Sequence, residues 1–154
     1  MKGALWQRNL IGAAVTAAAL TTITTFLLKP DWERYLHTVQ PAHTAAAHQP
    51  IEVAGQTWSI RNVSRSTRAA GSGLPLPDGT VLVNVVVERS GTATQGFGCT
   101  AYLIDGERSW RSSAGPPCGA AVSMPWSFLV PVSAEPTAVD IKKSDGSLLL
   151  RLEL

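Results

Sequence analysis

The sequence predicts a mainly β protein, a sandwich of about seven strands preceded by one N-terminal transmembrane helix. Three observations carry that prediction. Residues 9–28 form a run of 20 uncharged positions; at about 1.5 Å per residue such a helix spans the roughly 30 Å hydrocarbon core of a bilayer. From Ile51 onward, apolar and polar residues alternate in short runs broken by turn formers, the period of half-buried strands. The chain has 154 residues, enough for that helix and one ordinary domain but not two.

Residues 1–8 are expected on the cytoplasmic side and residues 9–28 across the bilayer. Lys2 and Arg8 precede the run, and Lys29 and Asp31 follow it. Trp6 stands just before it, and Trp32 and Tyr35 just after, where interfacial aromatics gather. Its five threonines lower the hydrophobicity, but a helix returns each hydroxyl to a carbonyl one turn back. A cleaved signal peptide and a buried core helix are the other readings. A signal peptide has a shorter apolar core and a small-residue cleavage site close behind it, whereas this run ends in Lys29-Pro30-Asp31. Lys and Arg tie across the run, and the N-terminal amine tips the N-terminus inside. Gly12, Ala13, Thr16 and Ala17 offer small faces for packing against another helix.

Residues 29–39 read as a juxtamembrane helix, with Pro30 at its first turn and Asp31 and Glu33 beside it. This helix either lies at the interface or continues the anchor. Residues 40–50 (QPAHTAAAHQP) hold two prolines, no charge and no large apolar side chain, and read as a stalk. His37, His43 and His48 fall in this neighbourhood, but their spacing matches no metal-ligand pattern. No metal and no cofactor are expected.

Residues 51–154 read as the extracytoplasmic domain. Trp58 and Ile60 alternate with polar neighbours. Val81, Val83, Val85 and Val87 share one face of a strand, and Leu82 and Val86 half-fill the other, which suggests a central position. A strand from Cys99 to Ile104 meets Asp105-Gly106, a hairpin signal. Trp126, Phe128 and Val130 alternate until Pro131. Ser144-Asp145-Gly146-Ser147 joins the last two strands, with Leu148, Leu150, Leu152 and Leu154 facing inward. About seven short strands in this length have the size and rhythm of an immunoglobulin-like sandwich. Residues 64–79 form a long loop carrying Arg65, Arg68, Leu74, Leu76 and Asp78, either a recognition element or a crossover without a partner.

Cys99 and Cys118 are expected to pair, closing a loop worth about 3 kcal/mol in the chain-entropy model; two unpaired core thiols or a redox pair are the alternatives. No Cys-x-x-Cys motif is present. A disulfide persists outside the cytoplasm, which agrees with an N-inside anchor.

The stretch Gly55-Gln56-Thr57-Trp58, the long loop and the strand from Val81 to Val87 resemble extracytoplasmic immunoglobulin-like domains of bacterial surface proteins, telokin-like in fold. Phe128-Leu129-Val130-Pro131, Pro136 and Val139-Asp140-Ile141 add to the resemblance, which covers about residues 51–154. It implies a module held on a single anchor and a low-complexity tether. It carries over no catalytic residue.

Composition narrows function further. The net charge is +2, too little for an electrostatic nucleic-acid binder. Residues 51–154 hold nine basic and nine acidic side chains, so the excess lies in the first 50 residues, where four Lys and Arg meet two acids. The domain has no histidine, so a Ser-His-Asp or Cys-His system has no base there. Gly96-Phe97-Gly98 is only a fragment of a glycine motif. The expectation is a membrane-anchored extracytoplasmic interaction module in a bacterial inner membrane, not an enzyme. Its partners are the lipid bilayer and another membrane or envelope protein. An accessory subunit of a larger membrane complex is the second reading, and an enzyme or metal handler using the stalk histidines the third.

Overall fold

The structure is a computed structural model that describes residues 2–91, 98–116, 118 and 122–154, without the side chains of residues 2–5, 7 and 8. Gly96 and Phe97 of the glycine fragment lie outside the described residues. Two compact units divide the chain, residues 1–37 and 38–154.

The first unit is helical. α1 (Lys2–Ile23) passes into a π-helical turn (Thr24–Leu28) and on into α2 (Lys29–Val39). Pro30 therefore begins no new helix; it lies inside a continuing one. The reason is local. Proline lacks an N–H and its ring crowds the carbonyl one turn back. Just before it, the Lys29 amide reaches the Thr24 carbonyl, five residues back, and widens the turn. Thr21 and Thr22 return their hydroxyls to Ala17 and Ala18 carbonyls at 2.9 Å each. The helix is long and apolar enough to cross a membrane, and none of its described side chains is buried.

The second unit is a β-sandwich of nine described strands: β1 (His43–Ala45), β2 (Ile51–Val53), β3 (Gln56–Ser66), β4 (Thr80–Ser90), β5 (Cys99–Asp105), β6 (Arg108–Arg111), β7 (Ser123–Pro131), β8 (Ala138–Lys143) and β9 (Leu148–Glu153). One sheet runs β1-β9-β8-β5-β6 and the other β2-β3-β4-β7. Trp58, Val83, Val85, Val87, Trp126 and Phe128 meet Leu103, Val139, Ile141, Leu150 and Leu152 in one core. The alternation in β4 and β7 sets that face, and β4 lies between β3 and β7 as a central strand.

Three features depart from the sequence expectation. The segment read as a stalk contributes a strand: His43, Thr44 and Ala45 pair in parallel with Leu150, Arg151 and Leu152. Ala45 is small enough to enter the core, where it is 4% exposed. Second, Arg65 is not in the long loop but in β3, opposite Val83. Third, β9 does not alternate throughout. Its register against β8 slips by one residue where Lys142 meets Leu148, leaving Leu149 as the extra residue and turning it into the core beside Leu150.

Candidate interaction surface

The loop between β3 and β4, residues 67–79, is braced by its own backbone. Arg68 and Pro75 form an antiparallel bridge. The Ala69 amide donates to the Leu74 carbonyl at 2.8 Å, and the Leu76 amide to Thr67 at 3.2 Å. The Gly73 amide donates back to Ala69 at 3.1 Å. Gly71 and Gly73 take positive φ, 80° and 65°, which lets the tip turn back on itself. Arg68 adds a bond from its guanidinium to the Gly73 carbonyl at 3.1 Å. The excursion is thus a small hairpin with a defined shape. It holds Leu74 at its tip, 64% exposed. Leu76 is half-buried at the base, and Asp78 is exposed in the turn into β4. Thr80 closes that turn by donating its amide and hydroxyl to the Pro77 carbonyl, at 3.1 and 2.7 Å.

Arg65, near the end of β3, ties that strand to the connection between β7 and β8. One of its guanidinium N–H groups donates to the Ala134 carbonyl at 2.9 Å. Beside it runs an open edge. β2 pairs with β3 only over Gln56, Thr57 and Trp58, so among the described residues β3 has no outer neighbour over residues 59–66. Arg61 is skipped in the pairing with β4, a bulge between Ile60 and Asn62, and ion-pairs with Glu88.

The opposite edge of that sheet is closed by chemistry. Ser127 turns its backbone outward, where its amide donates to Ala114 at 3.0 Å and its carbonyl accepts from Ser113 at 2.8 Å. Pro125 and Pro131 share that outward parity and offer no N–H, the usual protection of an edge strand.

Cys99, at the start of β5, and Cys118, in the loop between β6 and β7, form a disulfide with Cα atoms 5.2 Å apart. The Cys118 carbonyl accepts a bond from the buried Arg89 guanidinium at 2.7 Å. The same guanidinium stacks over Trp58, 5.2 Å from the ring centroid. Burial pushes the Arg89 pKa below its usual value. This cluster pins the end of β4 to the disulfide loop and is structural.

Sequence reasoning passed over one polar site. On the outer face of the five-stranded sheet a groove of about 200 Å³ is lined by Tyr102, Ile104, Arg108, Asp140, Lys142 and Arg151, among others. Asp140 is 3% exposed. Arg151 Nε and Nη2 each donate to it at 2.7 Å, one to each carboxylate oxygen. This bond holds the Arg151 guanidinium above its usual pKa, against the opposing effect of burial. Lys142 stands over the Tyr102 ring at 5.2 Å. The signal was available in the sequence: Asp140 stands between Val139 and Ile141, and Arg151 between Leu150 and Leu152, each a charge flanked by apolar residues. The buried Asp140 is taken up by Arg151 through both carboxylate oxygens, which suits a brace across β8 and β9 better than a ligand.

Elsewhere, the predicted residues stand apart. Trp6, Trp32 and Tyr35 are exposed on the helix, and Trp32 and Tyr35 stack with ring centroids 5.6 Å apart. Gly12, Ala13, Thr16 and Ala17 are exposed in α1. His37 lies in α2 and His43 in β1, while His48 sits in a turn with φ of 61°. Among the described residues, no group of three or more His, Cys, Asp or Glu is placed to hold a metal ion.

No protein-family model matches the chain, and no curated protein matches it. Among solved structures, an uncharacterized β-sandwich protein from Clostridium difficile is similar, at 12% identity and a TM-score of 0.42, over 73% of this chain and 93% of that one.

Proposed function

We propose that this chain is a membrane-anchored, extracytoplasmic protein-interaction module of immunoglobulin-like topology, without catalytic activity. The observation that carries the reading is the braced hairpin of residues 67–79. Free loops lose entropy on binding, whereas a loop already held by hydrogen bonds presents its side chains at lower cost. Leu74 at the tip is the apolar contact, and Arg68 and Asp78 flank it.

Other observations support the setting. The helix has the length and composition of a bilayer span. The disulfide suits an oxidising compartment. The strand order also fits: β9-β8-β5-β6 follows the G-F-C-C′ order of immunoglobulin sheets, and β3-β4-β7 follows A-B-E.

A second reading, an accessory subunit held in a larger complex by its helix, is favoured by the exposed small residues of α1 and the π-helical turn beyond them. Native co-purification from mild detergent separates the two. Replacing Leu74 with Asp is expected to remove the co-purifying partner, while exchanging residues 9–28 for an unrelated apolar helix leaves it bound. The reverse pattern assigns the partner to the helix and overturns the first reading.

A further inference from the structure

We propose that the open edge of β3 accepts an extended segment of a partner protein as an added antiparallel strand, and that Arg65 selects a segment carrying an acidic side chain. This deepens the interaction-module reading and rests on it for the existence of a partner.

The backbone parity of β3 decides what the edge offers. The pairing β4 makes with β7 uses its odd-numbered residues, as shown by the Arg89 amide on the Val122 carbonyl and the Val132 amide on Gly79. β4 therefore turns its even-numbered residues toward β3, where they meet Asn62, Ser64 and Ser66. Val63 and Arg65 point their N–H and C=O groups the other way, off the edge. Such groups are the template for strand addition.

Addition is confined to one stretch. The bulge at Arg61 breaks the ladder on one side and the hairpin begins at Thr67 on the other. Five residues, Asn62 to Ser66, are left in regular register. Val63 is 41% exposed although its neighbour across the ladder, Val85, is fully buried. An apolar side chain opposite Val63 would extend that core outward. The edge at β7, by contrast, is blocked by Pro125, Pro131 and the bridge at Ser127.

Charge selects the occupant. The stretch of residues 56–79 carries Arg61, Arg65 and Arg68 against Asp78 alone, a local excess of positive charge in a domain whose nine basic and nine acidic side chains cancel as a whole. Arg61 is taken by Glu88. Arg65 spends one N–H on Ala134, and a guanidinium has five donors. A carboxylate on the residue opposite Arg65 would meet the remaining donors in a cross-strand pair. A second copy pairing over the same five residues would instead place Val63 opposite Arg65, with no acid to meet the guanidinium, which disfavours self-pairing.

The test uses the full chain in lipid nanodiscs and two capped synthetic peptides, Thr-Glu-Thr-Val-Thr and Thr-Lys-Thr-Val-Thr. In antiparallel register the second residue of each lies opposite Arg65 and the valine opposite Val63. The glutamate peptide is expected to slow amide exchange at Val63 and Arg65 by about tenfold or more, and the lysine peptide by less than about twofold. Val63→Pro removes only an outward donor, which edge strands tolerate, and is expected to abolish the protection with the melting temperature nearly unchanged. Arg65→Glu is expected to reverse the preference between the peptides, and it carries the test should the proline variant not fold. Equal protection by both peptides, or none, overturns the proposal. Protection that grows with protein concentration without peptide assigns the edge to a second copy and overturns it too. If Leu74→Asp removes the co-purifying partner while Val63→Pro does not, the interaction module stands and the strand-addition proposal fails.

Discussion

Gly115 shows how closely this sandwich is fitted at single residues. Its φ is 140°, and a Cβ there would lie 2.1 Å from Trp126 Cδ1 and 2.7 Å from the Pro125 carbonyl oxygen. The indole is fixed in turn by its own N–H, which donates to the Pro116 carbonyl at 3.1 Å. Gly115→Ala is therefore expected to destabilise the domain by about 2–4 kcal/mol, from overpacking and backbone strain together. Chemical denaturation measures this directly. Asp145 provides a pH-dependent counterpart. Its carboxylate accepts the Ser147 hydroxyl and amide at 2.6 and 2.8 Å, and these bonds hold its pKa below the ordinary carboxylate value. A depressed folded pKa contributes stability above the unfolded value and loses it as pH falls through the folded one. The stability difference between the wild type and Asp145→Ala is thus expected to be full above about pH 4 and to shrink below it. Denaturation midpoints measured across that range read out the trend.

Elements differ in how much of them the sequence announces. β4 and β7 are legible because Val81, Val83, Val85 and Val87, and Trp126, Phe128 and Val130, recur at every second position and are all buried. The hairpin at Asp105-Gly106 is legible from its turn chemistry. The hairpin joining β2 and β3 is not, because it places Ala54 as well as Gly55 at positive φ, 53° and 75°, where Asn or Asp is usual before Gly. β1 is hidden for a different reason. It has three residues, its partner β9 lies at the other end of the sequence, and its only buried side chain is the methyl of Ala45. The end of β3 is hidden because residues 61–65 are exposed on both faces, so no period-two signal arises. The stretch is also the open edge, and with no alternation to mark it as strand, Arg65 reads from the sequence as part of a loop. The role of β1 is testable. Ala45→Asp is expected to cost about 2–5 kcal/mol and to detach the strand, while Thr44→Asp, on the exposed face, leaves stability nearly unchanged. Thermal melts of the two variants distinguish β1 as part of the sandwich from a passive tether.

At the scale of the whole molecule, an apolar helix unit and a charge-balanced sandwich are joined in one chain. The helix carries the excess positive charge at its flanks and buries none of its described side chains, which fits a lipid surrounding. The sandwich buries its apolar faces against one another and keeps one hairpin and one strand edge available. In the proposed role, the helix fixes where the sandwich stands, and the hairpin with its adjoining edge determines what it meets.

That arrangement turns on an uncleaved anchor with the sandwich outside. The direct measurement is protease treatment of intact bacterial spheroplasts producing the chain with a C-terminal tag, followed by fractionation. The expected result is an unprocessed chain of 16.3 kDa plus the tag, found in the membrane fraction and losing its tag to protease added from outside. A shortened form in the soluble fraction, or a tag protected until the cells are lysed, would contradict an anchored, outward-facing sandwich.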